Sequence, residues 1–217
     1  KRRNKLSEVY DIVLSYEKVR NHLEKNPSDK PKILKMVDEI KGDYKSSVVG
    51  ATSKLLDKTF LKLYDSVNLN LPESFNIREL HKKYHLILVP NHQSHADYIA
   101  LQYILYKHDK IPVYIAGGIN LNIFPIGNLF RRCGAFFIRR KFEDELYKIA
   151  FQGYIYYLLK SDKVVEFFFE GGRTRTGKLL PPKYGLFSML LDAHTKFDDK
   201  KPLMFIPVSI AHEMIPE

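Results

Sequence analysis

A chain of 217 residues can bury one substantial hydrophobic core, or one core with a smaller helical region attached. Hydrophobic residues make up 45% of the chain and charged residues 28%, a balance that excludes an intrinsically disordered protein. The net charge of +10 predicts anionic partners, and the single cysteine, Cys133, excludes an internal disulfide and fits a reducing compartment. No stretch reaches the roughly 18 apolar residues of a membrane-spanning helix.

The spacing of apolar residues in the first 70 positions predicts a helical region. Leu6, Val9 and Val13 follow the spacing of an apolar helix face, and this stripe continues to Leu23 before "NPSDKP" interrupts it. A second helix is predicted to begin near Pro31, and a third follows it. We expect residues 1–70 to form a helical annex that packs on the neighbouring domain.

After Pro72, short apolar runs alternate with longer helical stretches, which is typical of an α/β domain. The predicted strands are "HLILVP", "IPVYIAG", "GAFFIR", "VVEFFFE" and "LMFIPVSI", with helices near residues 94–106, 143–159 and 184–194. We therefore expect residues 71–217 to form an α/β domain with a mixed central sheet flanked by helices. Ligand groups should gather at the carboxyl ends of its strands.

The stretch "VPNHQSHADYIAL" places two histidines and an aspartate directly after the first predicted strand. If Ser94 caps the following helix, Asp97 lies in its first turn and can reach back to His92. A carboxylate that holds one imidazole nitrogen leaves the other nitrogen as a general base, as in two members of a serine protease triad. The alternative is a helix cap beside solvated histidines.

A metal site is a second alternative for the same stretch. His92, His95 and Asp97, with His85 as a further candidate, are residue types that bind zinc and other transition metals. Their spacing matches no strong metal-binding pattern, however, and no cysteine pair supports it. We therefore expect neither a metal nor another bound cofactor.

Two further groups of basic residues follow predicted strands. Arg139 and Arg140 end "GAFFIRR", where a guanidinium can clamp a phosphate, although strand alternation would turn the two to opposite faces. The alternative for this pair is a solvated strand end or a basic edge that faces lipid.

Glycine amides and positive charge also meet in "FFEGGRTRTGKLLPPKYG". Gly171 and Gly172 let a ligand approach their amides closely. Glu170 either orients an arginine or binds a substrate hydroxyl, and the surrounding cations are Arg173, Arg175, Lys178 and Lys183. The alternative is a Gly-Gly turn in a solvated basic loop.

Together these motifs resemble those of the glycerol-phosphate acyltransferase superfamily, most closely the bacterial membrane glycerol-3-phosphate acyltransferases. Its four motifs match "NHQSHAD", "GAFFIRR", "EGGRTRTGK" and the proline of "IPVSIAHE". The resemblance covers about residues 55–217. It implies that His92 is the general base, that Asp97 orients it, and that Arg140 rather than Arg139 holds the phosphate. The residues assigned to substrate binding are Arg139, Arg140, Glu170, Gly171, Gly172, Arg173, Lys183 and Pro207.

The resemblance implies transfer of a fatty acyl group from acyl-CoA or acyl carrier protein to the sn-1 hydroxyl of glycerol 3-phosphate. The product is 1-acylglycerol 3-phosphate, in the first step of phospholipid synthesis. Dihydroxyacetone phosphate and lysophosphatidate are the alternative acceptors, and a basic lipid-binding module without activity is a further alternative. Because catalytic regions of this family extend past the fourth motif, we expect the acyltransferase domain to continue beyond residue 217.

The basic surface also predicts where the protein works. We expect peripheral contact with an anionic membrane, at the cytoplasmic face of the cell membrane, through "INLNIFPIGNLF" beside Arg131 and Arg132. Ordinary core packing is the alternative for that segment. Nucleic acid is not expected as a partner, because no recognised binding motif accompanies the charge.

Overall fold

The computed structural model describes residues 2–59, 68–72, 75–94, 96–174, 178–197 and 201–212. Its centre is a five-stranded sheet in the order β3-β2-β4-β1-β5. The strands are β1 (His85–Pro90), β2 (Val113–Gly118), β3 (Ala135–Ile138), β4 (Val164–Glu166) and β5 (Leu203–Val208). The predicted α/β class is therefore confirmed. Each strand pairing within the described residues is parallel, whereas we expected a mixed sheet.

The helices flank this sheet and precede it. They are α1 (Arg2–Ser15), α2 (Glu17–Lys25), α3 (Lys30–Ile40), α4 (Ser46–Thr59), α5 (Ile77–Lys83), α6 (Ala96–His108), α7 (Ile126–Arg132), α8 (Glu145–Lys160) and α9 (Gly185–His194). Within the described residues, none of these helices has the length and apolar character to cross a membrane. The end of the predicted third helix, residues 60–67, lies outside the described residues.

The predicted first helix is divided at Tyr16. This residue has an extended backbone, with φ −62° and ψ 130°, and separates α1 from α2. Its ring is buried, and its hydroxyl donates a hydrogen bond of 2.9 Å to Asp192. The apolar spacing that predicted one continuous helix therefore serves two helices that pack on the same core.

The first three helices share a hydrophobic core with the sheet. Val13 of α1 and Val19 of α2 are fully buried against α8. A Cβ atom on Gly153 of α8 would lie 2.9 Å from a methyl group of Val13 and 3.1 Å from one of Val19. Glycine at this position therefore allows α1 and α2 to approach α8 closely.

The central strands are apolar on both faces, as expected for a parallel sheet covered by helices. Ile87 of β1 joins the core beneath α8, whereas its neighbours Leu86 and Leu88 join a second core with Leu101 of α6. This alternation follows from the two-residue period of a strand. It places helices on both faces and leaves the carboxyl edge of the sheet for polar groups.

One carboxyl group is buried within this largely apolar sheet. Glu166 ends β4 between β1 and β2, its side chain is fully buried, and neither of its oxygens has a hydrogen-bond partner among the described residues. Burial, and next the charge of Asp97, raise the pKa of Glu166 to about 8. The folded protein therefore keeps a neutral glutamic acid here at pH 7.

We predict that Glu166→Gln removes a pH-dependent loss of stability. Between about pH 4.5 and pH 8 the folded carboxyl binds more protons than the unfolded one, so the wild-type free energy of unfolding falls as pH rises. Glutamine does not titrate. The free energy of unfolding of the variant, relative to that of wild type, should therefore increase by at least about 1 kcal/mol from the low to the high end of this pH window. Urea unfolding at a series of pH values measures the difference.

The matched control is Glu143→Gln, because the Glu143 side chain is 77% exposed. Its effect on the free energy of unfolding should not change across the same pH range. A Glu166→Gln difference that is equally flat with pH would contradict the assignment of a protonated carboxyl to the sheet.

Candidate active site

The loop after β1 is anchored to the end of β5. The side-chain amide of Asn91 donates to the carbonyl of Ile210 at 3.0 Å and accepts from the Ile210 amide at 2.6 Å. This pair of bonds extends the contact between β1 and β5 by one further step. It fixes the backbone at the residue immediately before His92.

His92 and Asp97 form the pair that the spacing predicted. Nδ1 of His92 lies 3.0 Å from Oδ2 of Asp97. The same oxygen accepts from the backbone amides of Gln93 at 2.6 Å and Ser94 at 2.8 Å. The Ser94 hydroxyl accepts from the Ala96 amide at 3.1 Å, so this serine caps the start of α6 as expected.

The second oxygen of Asp97 is bound by another histidine. Oδ1 lies 2.6 Å from Nε2 of His212, which follows β5. Burial by itself raises the pKa of Asp97, but hydrogen bonds from His92, the Ser94 amide, His212 and the Gln93 amide outweigh it and lower that pKa to about 2. Asp97 is therefore ionised, so Nδ1 of His92 is the donor and Nε2 carries the lone pair of the neutral ring.

The imidazole of His92 is nearly buried beside an aromatic ring. It stacks on Phe168 with 4.1 Å between ring centroids, and His92 as a whole is 9% exposed. The residue also lines a cavity of about 990 Å³. A histidine that reaches a cavity while its carboxylate partner is fully buried has the arrangement of a general base.

The loop after β4 holds His92 through its backbone. The His92 amide donates to Oε1 of Glu170 at 3.2 Å, and the Thr174 amide donates to the His92 carbonyl at 2.9 Å. The other oxygen of Glu170 accepts from the Leu180 amide at 2.7 Å. Glu170 therefore joins two loops through backbone amides, and no arginine pairs with it among the described residues.

Gly171 makes the turn of this loop in the left-handed region, with φ +59°. A Cβ atom there would also lie 2.8 Å from Cδ of Lys183. Both the backbone conformation and the close approach of Lys183 therefore favour glycine at this position. Gly172 lines the same cavity as His92.

The cavity that contains His92 is basic in one part and apolar in another. Its size is at the upper end for a small-molecule site. Its basic lining residues are Arg139, Arg140, Arg173 and Lys183. Its apolar lining from α4, α6 and α7 includes Val49, Leu56, Ile99, Leu129 and Phe130.

The two adjacent arginines, Arg139 and Arg140, line the same cavity but have different contacts. β3 ends at Ile138, so strand alternation does not apply, and both arginines line the cavity. Arg139 makes two hydrogen bonds of 2.6 Å to Glu39 of α3 and stacks on the Tyr147 ring. Arg140 is exposed and, like Arg173 and Lys183, makes no ion pair within the described residues. Arg140 is thus the member of the pair that remains available for an anion.

Pro207 lies away from the His92 cavity. It is on β5, the edge strand, opposite Val89 of β1, and edge strands tolerate the missing amide hydrogen of proline. It lines a second cavity together with Glu170 and His212. The structure therefore places it near the backbone supports of His92 rather than beside the basic groups.

Two predicted participants, His95 and Arg175, lie outside the described residues. In the part of the chain that is described, no group of three or more His, Cys, Asp or Glu side chains is arranged to hold a metal ion. The positions of His212 and Glu166 near Asp97 were not predicted from the sequence. The signal for His212 was its position just after the last predicted strand, where ligand groups of parallel sheets gather.

The chain is similar in sequence to proteins of one family. The family model described as acyltransferase matches residues 72–211. The chain is 37% identical over 220 residues to the glycerol-3-phosphate acyltransferase of Pseudoalteromonas atlantica, covering 97% of this chain and 27% of that protein. For the enzyme of the same name from Shewanella woodyi the identity is 42% over 188 residues, covering 86% and 23%.

The glycerol-3-phosphate acyltransferase of Shewanella oneidensis is 37% identical over 219 residues, covering 96% of this chain and 27% of that protein. The chain thus spans about a quarter of the length of the curated relatives that it matches. The matched family model covers more than half of the chain and includes both His92 and Asp97. This chain belongs to the acyltransferase family.

Proposed function

We propose that this chain carries the catalytic centre of a glycerol-3-phosphate 1-O-acyltransferase, which forms 1-acylglycerol 3-phosphate in the first step of phospholipid synthesis. The observation that carries the proposal is the contact of His92 with ionised Asp97, in a cavity that has both basic and apolar walls. Names of the relatives support glycerol 3-phosphate as the acceptor. The donor is the thioester of acyl-CoA or acyl carrier protein.

The reaction proceeds by direct transfer. Nε2 of His92 accepts the proton of the sn-1 hydroxyl as that oxygen attacks the thioester carbonyl carbon. The resulting tetrahedral oxyanion collapses, the carbon–sulfur bond breaks, and the thiolate leaves with the proton that His92 returns. Asp97 stabilises the imidazolium between these two steps, as the carboxylate of a serine protease triad does. The substrate hydroxyl takes the place of the serine, so no acyl-enzyme forms.

The basic part of the cavity binds the phosphate of the acceptor. Arg140 can contact two phosphate oxygens through one guanidinium, because no carboxylate holds it within the described residues. Arg173 and Lys183 add positive charge to the same cavity. Arg139 is held by Glu39 and supports this wall without being free to close on the ligand.

The apolar part of the cavity accepts the fatty acyl chain. Side chains from α4, α6 and α7 line it, so the annex helix α4 contributes to the donor site. Transfer by this route needs no metal and no bound cofactor, because His92 supplies the base and the thioester supplies the leaving group.

The protein contacts the anionic cytoplasmic face of the cell membrane as a peripheral protein. We define the apolar patch as Ile123, Phe124, Ile126 and Leu129, which are 65%, 83%, 54% and 42% exposed. Arg132 is exposed at the end of α7, the helix that carries Ile126 and Leu129 of the patch. Arg131 is not part of this surface, because its guanidinium donates to backbone carbonyls of Glu39 and Lys41. Exposed apolar side chains beside positive charge suit the surface of an anionic bilayer.

Acyl transfer with radiolabelled glycerol 3-phosphate tests the function in the intact protein. Dihydroxyacetone phosphate and lysophosphatidate serve as competing acceptors, and the assay is repeated after dialysis against EDTA. We expect labelled 1-acylglycerol 3-phosphate in both conditions. Faster transfer to another acceptor would show that glycerol 3-phosphate is not the preferred substrate. Binding of lipid with no turnover of any acceptor would favour a lipid-binding module.

We predict that His92→Ala lowers kcat by about 10²- to 10⁴-fold, since a positioned general base contributes that much. Asp97→Asn should lower kcat in the same direction, because a neutral amide cannot stabilise the imidazolium. Steady-state kinetics measure both effects, and circular dichroism checks the fold. Near-normal turnover in His92→Ala would rule out the mechanism.

We predict that Arg140→Ala raises the KM for glycerol 3-phosphate by roughly 10- to 150-fold or more, since even one charge-assisted hydrogen bond to the phosphate contributes about that much. The KM for the acyl donor should change far less, because Arg140 contacts only the acceptor phosphate. Initial rates measured over both substrate concentrations separate the two constants.

Arg139→Ala is the matched control at the neighbouring position. It breaks the pair with Glu39, so we expect a loss of thermal stability with a smaller change in acceptor KM. If Arg139→Ala raised the KM for glycerol 3-phosphate while Arg140→Ala did not, the roles of the two arginines would be reversed. If neither changed acceptor KM, the phosphate site would belong to Arg173 or Lys183.

We predict that Phe124→Asp weakens binding to vesicles containing phosphatidylglycerol by about 10-fold or more, because one buried phenylalanine contributes about that much. Sedimentation with vesicles measures the bound fraction. The control is Leu179→Asp, since Leu179 is 77% exposed but lies outside the apolar patch. Loss of binding only in Leu179→Asp would place the membrane contact on the loop after β4.

A further inference from the structure

We propose that His212 is a positioning residue for His92, acting through the Asp97 carboxylate that the two histidines share. This inference rests on the proposed role of His92 as the base and adds a second histidine to that site. His212 neither contacts the reacting atoms in the proposed mechanism nor takes the substrate proton. It fixes the carboxylate that orients His92.

The carboxylate of Asp97 has one oxygen for each histidine. Oδ1 lies 2.6 Å from Nε2 of His212, and Oδ2 lies 3.0 Å from Nδ1 of His92. The side chains are 4% exposed for His212, 11% for His92 and 0% for Asp97. A buried carboxylate bound on both oxygens cannot rotate without losing hydrogen bonds. The contact of His212 with Oδ1 therefore adds to the Gln93 and Ser94 amides on Oδ2 in keeping Oδ2 directed at His92.

The backbone places His212 in this position independently of its side chain. Asn91 binds both the amide and the carbonyl of Ile210, two residues before His212. The loop after β5 is therefore fixed against the loop that carries His92. Replacing the His212 side chain removes the bond to Asp97 while these two backbone contacts remain.

The same geometry predicts the direction in which loss of His212 changes the protonation of His92. A hydrogen bond from His212 withdraws negative charge from Asp97, so its loss leaves more charge to stabilise the imidazolium of His92. Loss of His212 should therefore favour the imidazolium form of His92 over the neutral base. Within the described residues, the other ionisable groups around the pair are Glu166 on β4, Glu170 and Arg173 on the following loop, and Tyr98 on α6. These groups are unchanged in a variant of His212, which removes its bond to Asp97.

The first test is kinetic and uses two substitutions in the intact protein. His212→Leu removes the donor, whereas His212→Gln keeps a side-chain N–H at similar reach and cannot titrate. We expect His212→Leu to lower kcat by about 10-fold with KM for both substrates within about 2-fold, and His212→Gln to restore most of kcat. Equal losses in both variants would contradict a positioning role and indicate a merely structural one.

The second test does not depend on turnover. The imidazole of His92 is titrated by NMR in the wild type and both variants. The control is His108→Leu, at the end of α6, the helix that carries Asp97, because the His108 side chain is exposed. We expect the midpoint of His92 to rise by about half a pH unit or more in His212→Leu, by less in His212→Gln, and not in His108→Leu. An unchanged midpoint in His212→Leu would overturn the proposal.

The two tests also separate this proposal from the proposed function. If the midpoint of His92 rises in His212→Leu but the wild type transfers no acyl group, the coupling between the histidines stands and the acyltransferase function fails. If the wild type is active and the midpoint does not move, the function stands and the role of His212 fails.

Discussion

The buried carboxylate of Asp97 is the constraint on which the site depends. An ionised side chain without solvent contact is costly unless several donors bind it, and here two histidines and two backbone amides do so. These donors belong to the loop after β1 and to the loop after β5. One charge therefore connects the start of α6 to the edge of the sheet, and it holds His92 in a defined orientation towards the cavity.

The parallel sheet makes this convergence necessary. Its carboxyl edge brings together the loops after β1, β4 and β5, and each contributes a contact to the His92–Asp97 pair: the first supplies His92, the second binds its backbone, and the third supplies His212. The N-terminal helices take part as well. Glu39 of α3 holds Arg139, and α4 lines the apolar part of the cavity, so the annex helps to shape the site.

Much of this arrangement could be predicted from local pattern. The apolar runs located the strands, and the spacing of His92 and Asp97, only five positions apart, gave a contact that a helix start makes geometrically simple. Contacts between distant segments could not be predicted in this way. Arg139 binds Glu39, which is 100 positions away in the chain, and His212 binds Asp97, which is 115 positions away. No local periodicity predicts either contact. The break between α1 and α2 at Tyr16 was not predicted either, and the Tyr16 hydroxyl binds Asp192, 176 positions away.

In the proposed reaction, His92 is the base for a hydroxyl whose phosphate lies at Arg140. A crystal structure of the protein with glycerol 3-phosphate would show both contacts. We expect the sn-1 oxygen at about 2.6–3.2 Å from Nε2 of His92, with the phosphate oxygens at hydrogen-bond distance from the Arg140 guanidinium. A complex in which the phosphate contacts the basic residues while the sn-1 oxygen points away from His92, with another side chain within reach of it, would rule out His92 as the base.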